Sequence, residues 1–176
     1  MEVTETTLPG VLLIDPMIHR DKRGYFQETF QESRYHDAGI DHKFVQANMS
    51  GSVKGVLRGL HFQRNNPQGK LVFCTNGTVY DVAVDYDPNS NTFGRYFGAV
   101  LSESNHRQLW IPPGYAHGFC VLSSFACFQY FCTAYFDIRD EGGIRWDDPD
   151  VGIDWPINNP DVSEKDSMLP LLRELF

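Results

Sequence analysis

The sequence predicts an all-β fold, a sandwich or jelly roll with helix confined to short peripheral pieces. Runs rich in Val, Phe, Tyr and Thr recur along the chain, and these residues suit a pleated, half-buried surface. Turn signals separate the runs at Asn76-Gly77, Asp87-Pro88, Pro112-Pro113-Gly114 and Gly142-Gly143. Helix is expected only at 30–38 and near the C-terminus. Strands this short and evenly spaced favour two packed antiparallel sheets.

The clearest element is residues 70–86, KLVFCTNGTVYDVAVDY. It reads as a β-hairpin, because Asn-Gly tolerates the positive φ that a type I′ turn needs. In its second half Tyr80, Val82, Val84 and Tyr86 alternate with Asp81, Ala83 and Asp85, the period of a strand. Further strands are expected at 107–111, 117–122 and 126–136. No repeat, low-complexity tract or linker interrupts the chain, so residues 1–176 are expected to form one domain.

Composition narrows the class. With 41% hydrophobic and 22% charged residues the chain reads as an ordinary soluble protein. The net charge of −8 argues against non-specific binding to nucleic acid or anionic membranes. A small anionic ligand stays possible, since a local Arg/Lys cluster can act within an acidic protein. No apolar run approaches the ~20 residues of a membrane span. The start, MEVTETTLPG, lacks the basic and apolar regions of a signal peptide, so a cytoplasmic protein is expected. The cysteines, Cys74, Cys120, Cys127 and Cys132, form no CxxC pair and lie in apolar runs. They read as buried reduced thiols.

Several residues could carry chemistry, and each has a structural reading beside it. Metal sites in double-stranded barrels usually want two His one residue apart, with a carboxylate and a distant His. Here the run is His61-Phe62-Gln63, so the second ligand is missing although His117 could serve as the distant one. No metal is expected. His61 and Arg58 stand three apart with Gly59 between them; a satisfied structural His is the ordinary alternative. Lys70 opens an apolar run, either as an outward edge charge or as a cation aimed at an anion. Tyr130 shares a strand face with Ala126, Phe128 and Cys132, which suits a core phenol as well as an acid. Asp166 ends Ser163-Glu164-Lys165-Asp166, a helix-capping pattern that competes with any catalytic role.

Longer strings combine these residues. They are DKRGYFQE at 21–28, VLRGLHFQ at 56–63, QGKLV at 68–72, YDVAVD at 80–85, TFGRYFG at 92–98, QLWIPPGYAHGF at 108–119, WDDPDVGIDWP at 146–156 and VSEKD at 162–166. On these strings the chain resembles the dTDP-4-dehydrorhamnose 3,5-epimerases from about residue 8 to residue 172. The resemblance implies a cupin-type jelly roll, a homodimer with exchanged N-terminal strands, and no metal or other cofactor. It implies a catalytic His61 paired with Asp166, an acid at Tyr130 and an enolate-stabilising Lys70. It further implies a nucleotide-sugar site built from Arg23, Phe26, Glu28, Gln46, Asn48, Arg58, His117, Phe136, Glu141 and Lys165.

The reaction suits these residue types. Protons at C3 and C5 of a 4-keto-6-deoxyhexose both neighbour the ketone. Inverting either centre needs a base near neutral pKa, a cation at the developing oxyanion and an acid on the far face. The chain departs from the family at Ala47 and Met49, where Asp and His are common, at Phe136, often Tyr, and in FCTAYF after Tyr130. Inversion at one centre only, or a related isomerisation on the same fold, stands as a second reading. A non-catalytic sugar-binding jelly roll is a third, and it has no need of His61, Lys70, Tyr130 and Asp166 together.

Overall fold

The computed structural model describes residues 1–176. Its strands in chain order are β1 (Glu2–Glu5), β2 (Leu12–Asp15), β3 (Ile18–Asp21), β4 (Gly24–Gln27), β5 (Gln46–Val53), β6 (Val56–Gln63) and β7 (Lys70–Asn76). They continue as β8 (Thr78–Asp85), β9 (Tyr96–Ser102), β10 (Gln108–Ile111), β11 (Tyr115–Val121), β12 (Phe125–Cys132), β13 (Glu141–Gly143) and β14 (Asp161–Val162). Two short helices, α1 (Glu32–Asp37) and α2 (Glu164–Ser167), and a 3-10 turn at Leu172–Glu174 complete it. One sheet runs β1-β2-β10-β7-β12-β5 and the other β13-β6-β11-β8-β9, with β14 added parallel to β6. Strands β3 and β4 form a separate hairpin. The architecture is the expected all-β, cupin-type jelly roll, with helices at the two places expected.

Alternation along the strands decides what lies between the sheets. Val72 and Cys74 of β7, Val79 and Ala83 of β8, Phe119 and Val121 of β11, and Ala126 and Phe128 of β12 form one buried cluster. By the same period of two, Lys70, Asp81, His117 and Tyr130 fall on these inner faces. The opposite faces are covered separately. Leu60, Val82, Val84 and Ala116 pack against Ile144, Val151 and Leu172 of the C-terminal segment. Leu12, Ile14, Leu71 and Trp110 pack against Tyr35 and Ile40 around α1.

Two expectations need correction. The 70–86 hairpin does not form, because β7 and β8 lie in different sheets and the Asn76-Gly77 link crosses between them. Gly77 has φ +78 whereas Asn76 is not left-handed, so the link lacks the two positive φ values of a type I′ turn. A Cβ on Gly77 would sit 2.1 Å from the Phe125 carbonyl oxygen, so the crossing requires glycine. The strand expected at 126–136 ends at Cys132, where its partners run out at Gln46 on β5 and Lys70 on β7. The cysteines are all free, with Cys127 half-buried and the other three buried. No helix is long and apolar enough to cross a membrane.

Candidate active site

The inner faces of β6, β7, β11 and β12 leave a cavity at one end of the sandwich. A space of about 490 Å³ is lined by Arg58, His61, Lys70, His117, Tyr130, Lys165 and Asp166. A second, of about 410 Å³, shares His61, Lys70 and Tyr130 with it and adds Gln46, Asn48, Phe136 and Glu141. The two form one trough.

An irregularity in β6 builds its centre. His61 pairs with His117, but Arg58 pairs with Phe119, so three steps on β6 match two on β11. The extra residue resets the alternation, and Arg58 and His61 both reach the trough although they are three apart. Gly59 permits this: its φ is +123, and a Cβ there would lie 2.5 Å from Gly118 Cα. The Gly59 N–H donates to Asp166 Oδ2 at 3.2 Å.

His61 Nε2 lies 2.8 Å from Asp166 Oδ1. A carboxylate only accepts, so Nε2 carries the proton and the Nδ1 lone pair is free. Asp166 is 4% exposed. Burial pushes its carboxyl upward, but the His61 hydrogen bond and charge, the Gly59 N–H and Lys165 together hold it below its usual value. Its capping role belongs to Ser163, whose Oγ accepts the Asp166 N–H at 3.1 Å. The capping motif and the His61 pairing therefore coexist.

Lys70 faces inward rather than acting as an edge charge. Burial lowers its pKa, against the pull of Cys132, Asp81 and Glu141. Burial raises the Tyr130 phenol, assisted by Cys132 and opposed by Asn48 and Arg58. Arg58 donates from Nε and Nη2 to Ser52 Oγ, each at 3.1 Å. Lys165 meets Glu141 at 2.5 Å where the two spaces join. In a chain of net charge −8, this end of the fold gathers Arg58, Lys70 and Lys165, a setting for an anionic ligand.

A second buried pair escaped the sequence reading. His117 Nε2 lies 2.8 Å from Asp81 Oδ2, with Asp81 wholly buried. Burial lowers the His117 pKa, while Asp81 pulls it upward. The signal was present, since Asp81 stands between Tyr80 and Val82 in a largely apolar strand, but alternation alone does not say which face of β8 is inside. Gln63 also has an unforeseen role, as a brace between two loops. No group of three or more His, Cys, Asp or Glu side chains is arranged to hold a metal ion.

Three expected residues are not brought to the trough within one chain. Arg23, at the β3–β4 turn, pairs with Asp21 at 2.6 Å. Phe26 is 69% exposed on β4. Glu28 follows that strand and pairs with Arg34.

Comparison with known proteins places the chain among its relatives. A family model described as dTDP-4-dehydrorhamnose 3,5-epimerase matches residues 5–174. The chain is 49% identical over 179 residues to a dTDP-4-dehydrorhamnose 3,5-epimerase of Escherichia coli, covering 100% of this chain and 97% of that one. Among solved structures, the dTDP-6-deoxy-D-glucose-3,5-epimerase of Legionella pneumophila in complex with dTDP-4-keto-L-rhamnose superposes with TM-score 0.97. It shares 46% identity over 99% of this chain and 94% of that one. A 3′-monoepimerase of Streptomyces bikiniensis in complex with dTDP-quinovose gives TM-score 0.90 at 30% identity, covering 96% of this chain and 86% of that one.

Proposed function

The chain belongs to the dTDP-4-dehydrorhamnose 3,5-epimerase family, and from that premise we propose how its residues divide the reaction. It is an isomerase that epimerises a dTDP-linked sugar. The substrate we assign is dTDP-4-keto-6-deoxy-D-glucose, inverted at C3 and C5. One observation carries the assignment of roles: the His61–Asp166 pair opens on the same trough as Lys70 and Tyr130.

His61 removes the proton next to the ketone through Nδ1. Asp166 holds the ring by accepting from Nε2–H, and its charge stabilises the imidazolium that forms. Electrons move from the C–H bond to the C4 oxygen. There the Lys70 ammonium meets a charge greater in the transition state than in the ground state. Tyr130 returns a proton to the opposite face, and its raised pKa keeps the phenol protonated until then. Arg58 and Lys165 balance the diphosphate, while Phe136 stacks on the base.

We read the molecule as a cytoplasmic homodimer. The support is the β3–β4 hairpin, which leaves Arg23, Phe26 and Glu28 outside this chain's own trough. Met17 at 60% and Tyr25 at 55% are also exposed there. A second copy gives these residues a trough to complete. A monomeric mass in sedimentation would overturn this part.

The test of function is incubation with dTDP-4-keto-6-deoxy-D-glucose in deuterated water. Deuterium at both C3 and C5 with inversion at each is expected. Gain at one carbon only would reduce the activity to a single inversion, and no gain at either would overturn the substrate assignment.

A further inference from the structure

Gln63 takes no part in the chemistry just described, yet it is buried at 2% exposure between two loops that flank the trough. Its Nε2 donates to the Asn66 carbonyl at 2.7 Å and to the Tyr135 carbonyl at 3.2 Å. Its Oε1 accepts the Asp137 N–H at 2.7 Å. Both donors and the acceptor of the amide are thus engaged by main chain. Phe136 lies between the two held positions, and its own N–H donates to Gln46 Oε1 at 2.9 Å. Three consecutive residues are fixed by two glutamine side chains, while the Phe136 ring remains 49% exposed along the trough.

The amide chemistry is specific to this arrangement. One side chain must offer two N–H donors to carbonyls on separate loops and one oxygen to an N–H. A carboxylate lacks the donors, and an apolar residue would leave buried main-chain groups without partners. An exposed ring on an untethered loop would have to be ordered when a ligand stacks on it, at a cost in affinity.

We propose that Gln63 is a positioning residue for nucleotide binding, holding residues 135–137 so that Phe136 presents a preformed platform to the base. The proposal rests on the reading of Phe136 as the base-stacking ring, and its test separates the two.

The experiment measures binding of dTDP by calorimetry to the wild type, Gln63→Met, Phe136→Ala and the double variant. Each single variant is expected to bind about tenfold more weakly. The double variant should fall within about twofold of Phe136→Ala alone, because both changes act through one ring. With substrate, Gln63→Met should raise KM about tenfold and leave kcat within about twofold. Loss of stability alone would not produce this non-additivity. If Phe136→Ala binds dTDP like the wild type, the stacking reading fails and the proposal falls with it. If Phe136→Ala weakens binding but Gln63→Met does not, or if the two effects multiply, the stacking reading survives and Gln63 loses its role. Should Gln63→Met not accumulate as folded protein, Gln63→Glu replaces it. It keeps an acceptor for Asp137 but lacks both donors, and the same weakening and non-additivity are expected.

Discussion

His61 Nε2 and Asp166 Oδ1 lie 2.8 Å apart although 105 positions separate them in the chain. Ser163 caps α2 through the Asp166 main-chain N–H, which leaves the Asp166 carboxylate for the imidazole. Capping and pairing can therefore be separated by mutation. Asp166→Asn should lower kcat by roughly a hundredfold or more, since an amide cannot stabilise the imidazolium and can present the wrong group to Nε2. Ser163→Ala should cost about 1 kcal/mol of stability and leave turnover close to wild type. Near-normal turnover in Asp166→Asn would remove the dyad.

The same pair sets an acid limit on stability. The folded pKa of Asp166 lies below its ordinary 3.8. Its contribution is therefore fully present above pH 3.8 and is lost as pH falls through the lower folded value. Thermal melts of the wild type below pH 4 should show this loss, and those of Asp166→Asn should show a shallower one. Equal slopes would contradict the pairing.

Tyr130→Phe keeps the ring and removes the acid. Deuterium exchange at C3 should persist through His61 while inversion collapses, and stability should change little because the ring and its packing are kept. His61→Ala should abolish both exchange and inversion. Full inversion at wild-type rate in Tyr130→Phe would assign the acid to another group.

Lys70→Met separates catalysis from stability in the opposite direction. Burial disfavours the ammonium and lowers its pKa. A buried charged lysine therefore costs stability at neutral pH, a cost that fades as pH rises through the lowered pKa. The variant should melt no lower than the wild type while kcat falls roughly a hundredfold, the scale of losing one group at a developing oxyanion. Unchanged kcat would end the oxyanion role.

Exhaustive chelation should leave turnover unchanged. The amide of Gln63, at the position one beyond Phe62 where a second ligand would stand, is committed to three main-chain partners. Recovery of lost activity by added zinc or iron would contradict this.

The sequence by itself determined the strand-rich fold, the two helical sites and, through its long motif strings, the residues that meet in the trough. Composition and local pattern suffice for the strands and helices, because strand period and cap chemistry are properties of neighbours along the chain, whereas the trough residues followed from the family resemblance that those strings carry. Only the tertiary structure decided the rest. Asn76-Gly77 looks like a hairpin turn, yet sheet membership is set by packing across the sandwich, so the link crosses between sheets. Alternation marked β8 as a strand but left open that Asp81 faces inward, since both faces of that strand are covered. Arg58 and His61 share the trough because an extra residue in β6 resets the alternation. Asp166 reaches His61 because α2 folds back against β6. These last relations depend on distances between segments far apart in sequence, and neither propensity nor periodicity carries that information.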